Sequence, residues 1–411
     1  MGAAVMWARF LPAKEPTCAK KRRLKNSRRS CNSSFARKNL KQPPWCVTKF
    51  VNSSRSWGDE TMERKEHLLK NSEWMRENPD TPVVLSSRIR LARNLEGVPF
   101  PLGLSQEAAQ DIEQKVSAEL EALTIDQDKL TYYSMKDLTP IEQYVLIEKH
   151  LISPALVNSR GARGVAINSD HRVSVMVNEE DHLRIQVLLP GDQLKEAYLL
   201  SNTMDDQLEE RLDFAYREAQ GYLTACPTNV GTGMRASVMV HMPALVMTNR
   251  VQQLLGALNH LGLAVRGLYG EGSQAFGHIY QVSNQITLGK SEEDTITHLE
   301  AVTRQIIEQE VHAREGLVRE APLVLQDKVW RARGTLEKAR LLNSEDALQC
   351  LSLDRLGVDM GILPPRQQSF STLLVETLPA SLQYGLEREL SPEQRDEERA
   401  SYMRKAMAEV K

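Results

Sequence analysis

The sequence predicts an α+β fold: a mostly antiparallel β-sheet flanked by helices, followed by a helical C-terminal domain. Three observations predict it. Segments with apolar residues at every second position are confined to residues 81–288. Two of them, 173–177 and 183–188, are separated by only five polar residues, the spacing of antiparallel neighbours. Beyond residue 318 only helix-period segments follow. At roughly 100–200 residues per domain, residues 62–318 read as one domain and 319–411 as a second.

Residues 1–61 stand apart. The 411-residue chain has a net charge of −2, yet this stretch holds 14 of its 52 Lys and Arg and only 3 of its 54 Asp and Glu. It reads as a basic leader in one of three senses. It is a disordered nucleic-acid-binding tail, a transit peptide rich in Arg and Ser, or a stretch upstream of a working start at Met62. Its cysteines (Cys18, Cys31, Cys46) and tryptophans (Trp7, Trp45, Trp57) follow no pattern, which favours the last.

The remaining elements follow in order. Residues 81–91 (TPVVLSSRIRL) are β-rich and come after Pro79, so they predict a strand. Residues 105–123 predict a helix, because Ser105 can cap it and Ala108, Ile112, Val116 and Leu120 share one face. Residues 140–151 are a second helix. In the hairpin, Val173, Val175 and Val177 alternate with Ser174 and Met176, and Leu183, Ile185 and Val187 alternate with Arg184, Gln186 and Leu188. Its tip, 178–182, carries Glu179, Glu180 and Asp181. Residues 192–220 predict one long amphipathic helix closed by Gly221. A Gly-rich loop at 226–233 (CPTNVGTG) leads into a strand at 236–242. A helix at 248–261, a strand at 264–268, a loop at 269–277 and a strand at 278–288 come next. Ser291 caps a helix reaching 315, with acids in its first turn. Helices at 323–342, 344–356, 367–378 and 391–410 complete the chain.

Composition narrows the function. No stretch approaches the roughly 20 apolar residues of a membrane helix, so no membrane is expected. After residue 61 only Cys226 and Cys350 remain, which is no disulfide framework and suggests a reducing, cytoplasmic setting. Neither CxxC nor HExxH occurs, so no metal site is expected among the side chains. The part after residue 61 carries 38 basic against 51 acidic residues, which disfavours direct nucleic-acid binding.

Chemistry concentrates at strand ends. Arg88 and Arg90, two apart in an extended chain, point to one side. Arg184 follows the acidic tip, Arg235 follows the Gly-rich loop, and Arg266 and Glu271 bracket RGLYGE. A guanidinium grips phosphate oxygens with a planar fork. Five of them without a Walker-type Lys suit a nucleoside triphosphate and spread the charge of a transferring phosphoryl group. Carboxylates opposite them suit a cationic acceptor such as a guanidinium, which they orient and deprotonate. A thiolate at Cys226 can accept a hydrogen bond from that acceptor. Taken singly, each of these residues fits a surface ion pair or a turn. GxxxxGK[ST] is absent, and the eight residues between Cys226 and Arg235 rule out a Cys-x5-Arg phosphatase loop.

Taken together, SSRIRLARN (86–94), NEEDHLR (178–184), CPTNVGTGMRASV (226–238) and RGLYGE (266–271) resemble the guanidino (phosphagen) kinase family over roughly residues 80–315. The resemblance implies catalytic roles for Glu180, Glu271 and Cys226. It implies an ATP site made by Ser86, Ser87, Arg88, Ile89 and Arg90, by His150 and Arg184, and by Arg235, Ala236, Ser237, Val238 and Met239. Arg266, Gly267, Leu268, Tyr269, Gly270 and Glu271 complete that site. Met239 replaces the His of small-molecule phosphagen kinases, so adenine contacts differ. Mg2+ would arrive with ATP, held by phosphates and water.

Two departures narrow the resemblance. The helical domain that precedes SSRIR in kinases of small guanidino compounds has no counterpart here, which leaves an open acceptor side. The last predicted helix carries RDEERA (395–400), placing Arg395 and Arg399 on one face, where an anion would offset their repulsion. Both features resemble the bacterial protein-arginine kinase branch of the family (McsB type). That implies phosphorylation of arginine side chains in proteins, marking them for Clp protease degradation in the stress response. It also implies an allosteric phosphoarginine site at Arg395, Asp396, Arg399 and Ala400. The implied partners are a zinc-binding activator (McsA type), the Clp chaperone-protease, substrates that include a heat-shock repressor, and a second copy in a homodimer. Alternatives are a kinase for free arginine or another small guanidino compound, and a catalytically dead phosphoarginine-binding adaptor.

Overall fold

A computed structural model describes residues 62–77, 82–268 and 275–408. The basic leader, Tyr269, Gly270 and Glu271 lie outside the described residues. The chain opens with α1 (Met62–Leu69) and a short 3-10 turn, Glu73–Met75, and enters the sheet at β1 (Val84–Arg93). After α2 (Gln106–Ala122), capped by Ser105 as its sequence suggests, come β2 (Thr124–Ile125) and β3 (Asp128–Ser134). Then follow α3 (Pro140–Glu148), α4 (Pro154–Asn158), β4 (Gly164–Asn168), β5 (Val173–Val177) and β6 (Leu183–Pro190). Next are α5 (Leu194–Glu209), the small hairpin β7 (Tyr216–Arg217) and β8 (Gly221–Tyr222), and β9 (Met234–His241). Helices α6 (Pro243–Met247) and α7 (Val251–His260) lead to β10 (Leu263–Gly267) and β11 (Ile279–Asn284). The long α8 (Glu292–Glu320) is followed by α9 (Pro322–Lys338), α10 (Ser344–Asp359), α11 (Phe370–Glu376), α12 (Pro379–Leu386) and α13 (Pro392–Ala408).

Nine strands form one sheet in the order β10-β11-β9-β1-β6-β5-β4-β3-β2, with antiparallel neighbours throughout. The strand that comes first in the chain therefore sits in the middle, between β9 and β6. Alternation then divides the side chains between two faces. Ile89 and Leu91 of β1, Ile185 and Val187 of β6, and Ala236 and Val238 of β9 enter one core, which α2, α5, α7 and α8 cover with Val116, Met204, Leu258 and Leu299. The opposite face is covered in two places. Leu188, Met239 and Ile279 pack with Trp74 and with Leu348, Phe370 and Met403 of the C-terminal helices. Val165, Ile167 and Met176 pack with α3, α4 and Tyr384 of α12.

The α+β class and the C-terminal run of helices agree with the sequence reading, and several element bounds differ. The helix expected over 192–220 ends at Glu209. Leu212 and Phe214 do reach the core, as the helical stripe implied, but from the turn that closes α5 and the bridged stretch after it. There Ala215 donates its amide to Asn94 (2.7 Å), so pairing with the end of β1 overrides the helical period. The helix expected at 248–261 is α7, which starts at Val251 after Asn249 adopts a φ of +56°, and a further short helix, α6, precedes it. Strands β3 and β4 and helices α1 and α12 had no counterpart in the sequence reading. Between β3 and β4, Gly164 is required because a Cβ there would run into the Tyr132 hydroxyl.

Candidate active site

The predicted arginines converge on the sheet face left open between the two covered areas. Register brings them together: Arg90 lies directly opposite Arg235 across β1 and β9, and Arg88 opposite Ser237. Arg184 lies opposite Ala92, one strand over on β6. All four are partly buried. Arg88 donates Nε to Ser237 Oγ (3.4 Å), and Arg235 donates Nη2 to Ser283 Oγ (3.1 Å). The Nε atoms of Arg90 and Arg235 are buried without a hydrogen-bond partner. Burial, and then the charges of Arg235 and Arg184, pull Arg88 down to about 10. Burial, then Arg88, Arg184 and Arg235, hold Arg90 well below the ordinary guanidinium value. Burial, then Arg266 and Arg184, lower Arg235 as well, with Cys226 opposing. A cluster of like charges that depress one another is short of anionic charge, and unpaired buried donors carry a penalty that an anion would remove.

The hairpin tip supplies the carboxylates. Glu179 is buried and accepts from Arg184 Nη1 (2.7 Å), from the Ser153 hydroxyl and from the Glu180 amide (3.3 Å). Glu180 leaves 45 % of its side chain exposed and meets Arg184 Nη2 at 3.2 Å. Asp181 is wholly buried and accepts from Asn94 Nδ2 (2.7 Å) and the Ala225 amide (2.7 Å). It thereby fixes the residue before Cys226. The Cys226 thiol is partly exposed and lies 3.0 Å from the Thr228 hydroxyl. Thr287 donates to the carbonyls of Thr228 (2.9 Å) or Val230 (2.7 Å), pinning the Gly-rich loop. Gly231 is needed at φ +116°, since a Cβ there would stand 2.5 Å from the Thr287 carbonyl. Glu180 faces a cleft of about 1280 Å³ that Glu179, Arg184 and Ala225 also line.

The other predicted residues separate into groups. Ser87 is structural in its contacts, donating to the Gly191 carbonyl (2.8 Å) and accepting from the Gln193 amide (2.9 Å). Ser86, Ile89, Ala236 and Val238 are buried in the sheet. Met239 packs in the core under the C-terminal helices. His150 sits against the Trp74 ring at 5.3 Å, and burial followed by the Arg88 charge pulls it down to about 3, so it is neutral. Arg266 is exposed on β10, and Gly267 and Leu268 close that strand.

The RDEERA residues lie on α13. Arg399 is 1 % exposed and donates to the carbonyls of Thr377 (2.7 Å) and Leu342 (2.8 Å) and to Asp396 (2.7 Å). Arg395 is half-buried and donates to the Leu390 carbonyl (3.1 Å), and Ala400 is fully buried. Arg399 thus ties α13 to the end of α11 and to the loop just before α10, an anchoring duty its spacing from Arg395 did not reveal. Sequence reasoning also missed the buried pair Arg93–Asp205 (2.9 Å), which steadies β1 against α5. Its members lie 112 residues apart, so no local signal marks it.

Comparison with known proteins places this site in a family. Residues 111–313 match the family model for the ATP:guanido phosphotransferase C-terminal catalytic domain, and residues 322–411 match the protein-arginine kinase McsB C-terminal domain. The chain is 48 % identical over 346 residues to a protein-arginine kinase of Moorella thermoacetica, covering 83 % of this chain and 99 % of that one. It is 47 % identical over 347 residues to a protein-arginine kinase of Bacillus subtilis, covering 83 % and 95 %. Among solved structures, the duplicated taurocyamine kinase of Schistosoma mansoni with bound transition-state-analogue components matches with a TM-score of 0.52 at 25 % identity, covering 65 % of this chain and 41 % of that one. With both family models matched and near-half identity over almost the whole length of its relatives, the chain belongs to the protein-arginine kinase family of ATP:guanido phosphotransferases.

Proposed function

We propose that the protein transfers the γ-phosphoryl group of ATP to arginine side chains of other proteins. The observation that carries this reading is the meeting of Arg88, Arg90, Arg184 and Arg235 on one open sheet face beside the exposed carboxylate of Glu180. The arginines hold the triphosphate and offset the charge that spreads over the transferring group. Glu180 orients the acceptor guanidinium and takes its proton as the new N–P bond forms and the bond to ADP breaks. Glu271, assigned by resemblance as the second carboxylate, and Cys226 with its Thr228 neighbour hold the acceptor on its other sides. His150, neutral and tilted against Trp74, lies within reach of Arg88's charge and suits contact with the base. Mg2+ would arrive with ATP, held by its phosphates and water. The broad cleft in front of Glu180 suits a polypeptide better than a free amino acid.

The wider reading follows from the family. Arg395, Asp396, Arg399 and Ala400 form a phosphoarginine site. Marked proteins pass to a Clp chaperone-protease under stress, with a zinc-binding activator and a homodimeric state in the cytoplasm. The central test is mass spectrometry of an arginine-rich protein after incubation with Mg-ATP, under conditions that preserve acid-labile N–P bonds. Phosphoarginine is the expected product, and Glu180→Ala is expected to lower the rate at least about a hundredfold while ATP still binds. ATP consumption with free arginine but none with protein would overturn the reading, and unchanged turnover in the variant would remove Glu180 from it.

A further inference from the structure

The reaction above uses only the inner end of the cleft before Glu180. Its outer part has walls of its own. One wall is made by Pro101, Leu102 and Leu104, within residues 98–104 (VPFPLGL), seven consecutive residues without a polar side chain. A 3-10 turn at Pro101–Gly103 shapes it, with the Gly103 amide bonded to the Phe100 carbonyl (2.8 Å) and the Leu104 amide to that of Pro101 (3.2 Å). On this turn Leu102 is 100 % exposed and Phe100 38 %. Two prolines fix the backbone, so little chain entropy is lost when something settles on it.

The facing wall is α4 and the loop after it. Arg163 staples that loop by donating to the carbonyls of Leu156 (2.6 Å), Val157 (3.1 Å) and Gly161 (2.9 Å). Pro154 and Ala155 present small apolar surfaces from this side. Beneath, Asn178 donates to the carbonyls of Ala109 (3.0 Å) and Ala162 (2.9 Å). It thereby ties the loop of the second wall, and the helix α2 that follows the first, to the hairpin tip that carries Glu180. An exposed leucine alone means little, but a rigid apolar lip continuous with a catalytic cleft marks a contact surface.

We propose that the Leu102 lip is an acceptor subsite, taking an apolar side chain that lies within a few residues of the target arginine. The proposal rests on a polypeptide acceptor. The guanidinium reaches Glu180 while the neighbouring apolar group covers Leu102, so binding is gained from a part of the substrate remote from the transferred group. Charged or glycine-only surroundings of the arginine leave the lip bare.

The test uses a set of short peptides, each with one central arginine among glycines and a single leucine placed at successive positions on either side. An all-glycine peptide and Nα-acetylarginine amide serve as references. At least one leucine position is expected to raise kcat/KM roughly tenfold over the all-glycine peptide, through KM. Leu102→Asp is expected to bring that ratio close to one, and Leu102→Met to retain it. A wild-type protein indifferent to the leucine, or a preference that survives Leu102→Asp, overturns the subsite. Phosphorylation of the small amide with none of any peptide overturns the polypeptide acceptor itself, and the subsite with it.

Discussion

The smallest working unit of the site is a pair. Glu179 neutralises Arg184 from a buried position, and Glu180 takes the exposed side of the same guanidinium. Two adjacent glutamates thus differ in exposure alone: one is buried against the arginine, and the other is left facing the cleft, which suits the two duties the proposed reaction asks of them. Glu179→Gln removes a charge-assisted hydrogen bond, worth roughly 1.5–3 kcal/mol. The expected result is a fall of about tenfold or more in kcat/KM for ATP, read from steady-state rates with ATP varied. Kinetics unchanged from the wild type would mean that Arg184 is held by other groups. At this scale the sequence marked Arg88 and Arg90 as neighbours in an extended setting, with Arg235 after the Gly-rich loop, and the register of β1 and β9 does bring the three onto one face. It was silent on partnership. Nothing near Asp181 says that it holds the amide of Ala225, 44 residues later, nor that Arg399 spends its donors on two carbonyls. Such pairings are fixed by register and packing, which local composition does not encode.

Between residues and molecule stand the elements, and here the sequence succeeded where one signal dominated. Strands β5 and β6 alternate strictly, and α2 and α8 have serine caps, so each is legible from its own residues. It failed where tertiary pairing competed with period, as at the end of α5. Helix α12 illustrates another hidden device. It starts at Pro379, and Glu148 at the end of α3 accepts from the amides of Ala380 (2.9 Å) and Ser381 (2.7 Å). The carboxylate of one helix thus satisfies the orphan amides at the start of another. Burial nevertheless pushes Glu148 up to about 7 from its ordinary 4.5, against those hydrogen bonds. Between these values the folded protein binds the proton more tightly than the unfolded chain, so this group's contribution falls as pH rises from about 4.5 to 7. Glu148→Gln cannot titrate. Its Tm is expected to vary less with pH across that window than the wild type's, and parallel Tm profiles would show that Glu148 is not the group responsible.

For the molecule as a whole, the sheet is a partition. One face is an uninterrupted core, and the other carries two covered areas with the arginines between them. The change from mixed to all-helical sequence near residue 318 was legible, yet α8 runs through that point to Glu320. The helices beyond it share a core with Leu188, Met239 and Ile279 of the sheet. Removing residues 319–411 would bare those side chains beside the arginine cluster. A fragment ending at 318 is expected to be poorly soluble or to bind an apolar dye while losing nucleotide affinity. A soluble fragment with full ATP affinity would show that the helices are not needed to complete the sheet face.

The place of β1 has a bearing on timing. Arg88 emerges early in synthesis, but Ser237, to which it donates, follows 149 residues later. The strands that flank β1 in the sheet, β6 and β9, are therefore separated from it along the chain by other strands. A chain still on the ribosome cannot bring the four guanidiniums together until β9 has left the exit tunnel, and its long-range pairings close slowly. The order of strands thus sets an order of assembly: a half-made copy carries the SSRIR segment but lacks the β9 strand it pairs with. Gathering of the arginines becomes a late event in the life of the chain, coincident with completion of the sheet.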